Sequence, residues 1–224
     1  MTIPFYVPPE QFVKDKAEFA RKGIARGRSI AALACSDGIV IVAENPSGTL
    51  HKISEIYDRV AFAGVGRYHE FEALRVAGVR HADLKGYLYG RADVTGKGLA
   101  SAFSQTLGNI FIHELKPYEV EILVVEVGST IQQDSLFRVT YDGTLYAEDR
   151  FVAIGGQAEG LVNALEGSYA EPPPWQQGLK MGVEAFRQAG ATNGEGWEAA
   201  ILYREATRRA FQRFEADEIS SALA

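Results

Sequence analysis

The order of strand-like and helix-like segments constrains this fold more than any other feature of the chain. Segments with strand patterning occur in groups, and paired segments with helical spacing separate the groups. The predicted order is one helix, three strands, two helices, four strands, two helices, two strands and a short terminal helix. Segregated groups of this kind indicate an α+β fold in which two antiparallel sheets stack between layers of helices.

Individual segments carry their own start and stop signals. The first helix is predicted from about Pro9 to Lys22, because proline suits a first helical turn and Gly23 suits the left-handed position after a helix end. Asp37-Gly38 and Asp142-Gly143 predict hairpin turns. Strands are predicted at 29–34, 39–43, 60–64, 120–127, 135–141, 144–147, 151–154, 197–203 and 209–213. One further helix is predicted after Gly66, and three more at about 94–114, 158–169 and 175–189.

Several strands are apolar at every position, notably 39–43 and 122–127. Such runs are typical of strands that are covered on both faces, as in stacked sheets between helices. We therefore predict a four-layer αββα sandwich formed by one domain over residues 9–224, since no linker is visible. Residues 1–8 are predicted to be a mobile tail, because Pro4, Pro8 and Pro9 oppose both helix and sheet.

Charge and composition exclude several classes of protein. The 224 residues carry a net charge of −6, which argues against general nucleic-acid binding. Residues 1–28 hold six bases and three acids. This basic segment on an acidic body indicates either an acidic partner or a solvated helix face. With no signal peptide or membrane-spanning run, we expect a soluble cytoplasmic protein.

Cysteine and histidine give no sign of a metal or a cofactor. The single Cys35 excludes an internal disulfide, and no motif ties it to a histidine, so a structural thiol is favoured. The four histidines lack the spacing of metal ligands. Gly64-Val65-Gly66 opens a helix as phosphate loops do, but close backbone packing is favoured there and at Gly155-Gly156.

A longer pattern links these segments to a known family. It runs, in order, through Lys22-Gly23, two strands joined at Ser36-Asp37-Gly38, Glu44-Asn45-Pro46, Lys52-Ile53, Tyr57-Asp58 and a third apolar run to Gly66. This order resembles that of proteasome α-type subunits, in particular those of the actinobacterial 20S proteasome. The resemblance covers essentially the whole chain. It implies the N-terminal nucleophile hydrolase fold with an extra N-terminal helix.

Catalytic members of that fold need a threonine at a free N-terminus, with a lysine and an aspartate nearby. Here Arg28-Ser29 stands at the nucleophile position and Glu44 at the aspartate position, while Lys52 keeps the lysine position. The sequence therefore predicts a non-catalytic subunit. The alternative is an active peptidase of the same fold, which would need cleavage after Arg28 or a nucleophilic Thr2.

The resemblance implies a role for the retained lysine. In α-type subunits the matching lysine pairs with the C-terminal carboxylate of a tail from a ring-shaped activator ATPase, typically a tail with a penultimate Tyr. The pocket lies between neighbouring subunits. Lys52 and Gly66 match two residues of that pocket. Spacing alone favours a surface lysine after a loop, and the whole-chain resemblance favours the docking role instead.

The resemblance also assigns the N-terminal segments. The tail matches a gate over the axial pore, formed by Thr2, Ile3, Pro4, Phe5, Tyr6, Val7 and Pro8. Its Tyr-Asp-Arg cluster, found in archaeal and eukaryotic relatives, has no match here, so gate contacts are not carried over. A disordered terminus is the alternative. Phe12, Lys16 and Phe19 share a helix face predicted to contact other subunits.

Four kinds of partner follow from the resemblance. These are catalytic β-type subunits, further copies of this chain in a seven-membered ring, an activator ATPase, and unfolded or pupylated substrates that pass through the pore. A free-standing binding protein unrelated to proteolysis is the competing hypothesis.

Overall fold

A computed structural model describes residues 8–192, 196–207 and 209–223. The helices are α1 Pro9–Ala25, α2 Tyr68–Leu88, α3 Gly96–His113, α4 Ala158–Ser168, α5 Trp175–Gln188 and α6 Ala216–Leu223, with short 3-10 turns at Arg91–Asp93 and Ile131–Gln133. The strands are β1 Ile30–Cys35, β2 Gly38–Glu44, β3 Ile53–Tyr57, β4 Val60–Gly66, β5 Val120–Glu126, β6 Ser135–Val139, β7 Leu145–Glu148, β8 Phe151–Ile154, β9 Trp197–Tyr203 and β10 Phe211–Arg213.

The strands form two antiparallel five-stranded sheets. One has the order β10-β9-β2-β1-β8 and the other the order β3-β4-β5-β6-β7. Helices α4, α5 and α6 pack on the first sheet, and α2 and α3 pack on the second. The predicted αββα sandwich is therefore confirmed.

The apolar core is divided into three layers by the two sheets. One cluster lies between the sheets, a second between the first sheet and α4–α6, and a third between the second sheet and α2–α3. Side chains of β1 point alternately to the two faces of the sheet, so this strand contributes to two of these clusters. Ile30 and Ala32 face the opposite sheet, while Ala31 and Leu33 face the helices. Both faces are dry, which explains the continuous apolar runs.

Helix α1 packs against β4 and β5, and its end differs from the prediction. The helix continues through Gly23 to Ala25, so the predicted end at Lys22 is wrong. Gly23 lies inside the helix because a Cβ there would overlap the side chain of Glu119 on the opposite chain segment. This glycine therefore serves close packing and not a left-handed helix cap.

One strand was not predicted. Strand β3, Ile53–Tyr57, pairs with β4 through a register irregularity between Glu55 and Tyr57. Its middle residues, Ser54 and Glu55, are only half-buried, so the segment lacks a strong apolar pattern. Its pairing with β4 forms one edge of the second sheet and leads directly from Lys52.

The two predicted hairpins exist, although their glycines act differently. Gly143 has φ +83°, as a tight turn requires. Gly38 is already paired with Cys35, so Ser36 and Asp37 form that turn. A Cβ on Gly38 would overlap the carbonyl of Leu202, so a glycine is needed there because β9 approaches closely.

Within the described parts of the chain, no helix is long and apolar enough to cross a membrane.

Candidate functional site

The predicted nucleophile position lies at the end of the sandwich where β1 begins. Ser29 directly precedes β1 and is only 2% exposed. Its hydroxyl oxygen accepts a hydrogen bond of 3.1 Å from the backbone N–H of Gln157. The chain arrives from α1, so the nitrogen of Ser29 belongs to the peptide bond with Arg28. This serine has no free amine that could act as its base.

Glu44, which the sequence pattern predicts at the aspartate position, has a guanidinium and a hydroxyl as partners. Its carboxylate is buried at the end of β2, with Oε2 3.5 Å from Nη1 of Arg28. The hydroxyl of Thr192 donates a hydrogen bond of 2.9 Å to Oε1. The carboxylate is thus paired with a guanidinium.

Lys52 lies beside the same segment. Its Nζ donates a hydrogen bond of 2.9 Å to the carbonyl of Arg28, and its own carbonyl accepts 3.1 Å from the N–H of Gly64. The structure therefore brings Lys52 next to the Arg28-Ser29 peptide, as the sequence pattern predicts for the lysine of this fold.

Glu198, a buried acid on β9, holds the backbone that presents Lys52. Its Oε2 accepts 2.9 Å from the N–H of Lys52, and Oε1 accepts 3.1 Å from the N–H of Ile53. Asn45 donates to Oε2 at 2.7 Å, and Arg213 forms an ion pair with Oε1. The carboxylate is therefore engaged by groups other than the lysine ammonium.

The Lys52 ammonium has an unusual electrostatic position. Over the described residues, no carboxylate lies within ion-pair distance of its Nζ. Burial lowers the pKa of Lys52 to about 8, and the nearby charge of Arg28 acts in the same direction. Glu198 and Glu44 offset part of this effect. A cation that is partly dry and weakly compensated is suited to bind an anion.

Gly66 lies close to the same segment. It ends β4 with φ +112°, and a Cβ there would overlap the carbonyl oxygen of Glu119. Gly27 packs against its backbone nitrogen, so Gly66 and Lys52 both border residues 27–28. Close backbone packing at this glycine therefore has a direct structural basis.

A small cavity opens at this end of the sandwich. It measures about 180 Å³, and its wall includes Arg26, Arg28, Ser29, Glu44, Gln157 and Thr192. Among the described residues of its wall are two arginines and one acid.

The predicted contact face of α1 is only partly correct. Phe12 and Phe19 are 41% and 45% exposed, and so remain available for contacts. Lys16 is buried, and its Nζ donates 2.8 Å to the carbonyl of Phe111 near the end of α3. Placing Lys16 on the outer face was wrong, because its ammonium satisfies a helix C-terminus in this same chain.

Three further sequence predictions concern the gate residues, Cys35 and metal ligands. The gate residues Thr2, Ile3, Pro4, Phe5, Tyr6 and Val7 lie outside the described residues, and Pro8 is exposed directly before α1. Cys35 is fully buried and burial raises its pKa to about 12, which disfavours a nucleophilic thiolate. Over the described ranges, no cluster of three or more metal-binding side chains is found.

Comparison with known proteins decides the family. A model described as Proteasome subunit matches residues 24–202. A relative named "Proteasome subunit alpha" from Acidothermus cellulolyticus is 55% identical over 222 residues, covering 96% of this chain and 94% of its own. The chain belongs to the proteasome α-subunit family. A "Proteasome subunit alpha" from Parafrankia sp. is 51% identical over 233 residues, covering 100% of this chain and 97% of its own.

Membership of the proteasome α-subunit family confirms the predicted resemblance, including its actinobacterial character.

Sequence reasoning missed one residue of the site, Glu198, and the ion-pair partner of another, Arg28. Glu198 organises the Lys52 backbone, and Arg28 pairs with Glu44. The signal for Glu198 was present, because a single acid in the otherwise apolar segment Trp197–Tyr203 predicts a buried carboxylate with dedicated partners.

Proposed function

We propose that this chain is a non-catalytic subunit of the outer ring of a 20S proteasome, where it gates substrate access, docks an activator and templates assembly with β-type subunits. The observation that carries the non-catalytic part is Ser29, which is buried, follows a helix without a break and has no free amine. Its carboxylate neighbour is paired with Arg28. We place this function in the cytoplasm, in agreement with the sequence prediction.

Protein sequencing and a peptidase assay test the lack of catalysis. The chain purified after co-expression with a β-type partner should keep the residues that precede Ser29, and alone it should not hydrolyse peptides. A new N-terminus at Ser29, together with activity of the isolated chain, would favour the peptidase hypothesis.

Electron microscopy tests the place of this chain in the assembly. Images of the co-expressed particle should show four stacked rings with this chain outermost.

Exposed aromatic groups support a contact role for α1 in assembly. Phe12 and Phe19 keep 41% and 45% of their surface exposed on a helix that packs on β4 and β5. Large exposed apolar side chains are typical of interaction surfaces. Changing both to serine should reduce ring formation without unfolding the chain, as judged by particle counts and circular dichroism.

The gate proposal concerns residues 2–8. Deleting them should speed hydrolysis of short peptides by the assembled particle, because substrate access would no longer be limited by the tail. Replacing the same residues with an equally long Gly-Ser segment distinguishes an effect of specific side-chain contacts from an effect of the length of the tail. An unchanged rate after deletion would count against a gate.

The docking proposal concerns Lys52. Its ammonium lacks a carboxylate partner in the described chain, and it borders the backbone of residues 27–28 together with Gly66. Lys52→Ala should weaken binding of an activator tail by about tenfold or more, the effect of losing a charge-assisted hydrogen bond of roughly 1–3 kcal/mol. Lys180→Ala, on the exposed side of α5, is the matched control. Equal affinities of all three proteins would contradict docking at Lys52.

A further inference from the structure

The Lys52 amine sits among charges that do not neutralise it. Its one described hydrogen bond is to a neutral acceptor, the carbonyl of Arg28 at 2.9 Å. The guanidinium of Arg28 belongs to the same segment and bears a like charge. Keeping the amine protonated in such a place costs free energy unless an anion arrives.

Three charged groups act on this amine: Arg28 before β1, Glu44 at the end of β2 and Glu198 on β9. Arg213 on β10 forms an ion pair with Glu198. Glu44 is paired with Arg28, and Glu198 is engaged by Arg213 and by backbone N–H groups. His51, on the loop before Lys52, has its Nδ1 3.5 Å from Glu198.

We propose that docking of a carboxylate-terminated tail at this site is coupled to the uptake of a proton by the Lys52 amine, so that docking weakens as the solution becomes alkaline. The proposal rests on the docking function proposed above. It adds that the empty site holds a fraction of neutral amine, which the bound carboxylate converts to ammonium.

The expected size follows from the charge state of the amine. Its pKa of about 8 means that most sites carry the proton at pH 7.5 and few carry it at pH 9. A carboxylate next to the amine raises the pKa again toward its usual range. Affinity should therefore fall about eightfold between pH 7.5 and pH 9, and binding at pH 8 should take up about half a proton per site.

The experiment uses the assembled particle and two synthetic tail peptides. Both have a penultimate Tyr and the same sequence. One ends in a free C-terminal carboxylate and the other in a C-terminal amide. Affinity is measured from pH 7.5 to pH 9, a range below the usual pKa of a peptide Tyr. Calorimetry at pH 8 in two buffers of different ionisation enthalpy counts the protons taken up.

Two variants sharpen the test. Arg28→Gln removes the like charge and leaves Glu44 without that partner, so the pH at which affinity falls should move upward. Lys52→Arg carries a side chain that stays protonated, so any binding it retains should be independent of pH. Lys180→Ala should follow the unmodified particle at every pH.

The outcomes separate this inference from the docking function. An eightfold fall with proton uptake, shifted upward by Arg28→Gln, supports proton coupling. Preference for the free carboxylate with constant affinity and no proton uptake would overturn the coupling and leave docking intact. Equal or absent binding of both peptides at every pH would overturn docking itself and the coupling with it.

Discussion

The two ends of the sandwich differ in how fully their buried charges are paired. At the end where β1 finishes, Arg204 donates 2.6 and 2.8 Å hydrogen bonds to Asp134 and a 3.0 Å bond to the carbonyl of Cys35. Arg59 adds bonds of 2.8 and 2.9 Å to the carbonyls of Val127 and Gly128. These contacts join both sheets, and each charge has specific partners.

At the opposite end, where β1 starts, the hydrogen bond that Lys52 donates within the described chain goes to a neutral carbonyl, and the like charge of Arg28 lies nearby. The surrounding acids, Glu44 and Glu198, are engaged elsewhere. The difference indicates that one end is built for stability, while at the other end the charge of Lys52 is only partly compensated by the described residues. Binding sites commonly carry such a cost in stability.

The largest expected effect lies at the stable end. Arg204→Met should lower the free energy of unfolding by about 3–5 kcal/mol, because Asp134 would stay buried without its partner. Urea denaturation of the chain measures this. Arg187→Met, at an exposed pair on α5, should change stability by less than about 0.5 kcal/mol. Equal effects of the two changes would remove the contrast between the ends.

A backbone change tests whether the Lys52 end is also closely packed. Gly66→Ala should cost about 1–3 kcal/mol, because alanine is strained at φ +112° and its Cβ meets the carbonyl of Glu119. Gly48→Ala is the control, since nothing lies within 4 Å of the added carbon. Similar melting temperatures for both variants would contradict the close packing.

The smallest expected effect has the opposite sign. Lys52→Met should raise the free energy of unfolding at pH 7 by about 1 kcal/mol, because the native state holds an ammonium that it disfavours while losing only one hydrogen bond.

The pH dependence fixes the sign of that effect. The native pKa of about 8 lies below the usual value of 10.5, so the unfolded state binds more protons between these values. Stability of the unmodified chain should therefore rise relative to Lys52→Met as pH increases from about 8 to 10. Lys180→Met serves as the control. A loss of stability in Lys52→Met that does not vary with pH would contradict the prediction.

Much of the fold could be predicted because its signals are local. The continuous apolar run of β2 required cover on both faces, and the grouping of strands and helices then left a layered sandwich. The position of Lys52 next to Arg28-Ser29 also followed from the spacing that resembles the proteasome family. Neither inference depended on knowing which distant residues meet.

The errors have a common physical cause in long-range contacts. Gly23 has the residue type of a helix end but lies within α1, where the Glu119 side chain approaches. Lys16 has the spacing of an outer face, yet its ammonium binds a carbonyl of α3. Strand β3 has a weak apolar pattern in the sequence, and it is recognised as a strand by its pairing with β4.

The sequence by itself determined the layered α+β architecture, and it placed Arg28-Ser29 at the predicted nucleophile position and Lys52 at the predicted lysine position. Those properties depend on residue identity and local periodicity. Only the tertiary structure decided that Glu198 holds the Lys52 backbone, that Arg28 pairs with Glu44 and that the ammonium remains poorly compensated. Electrostatic environment is set by groups far apart in the chain, so it emerges only when the fold brings them together.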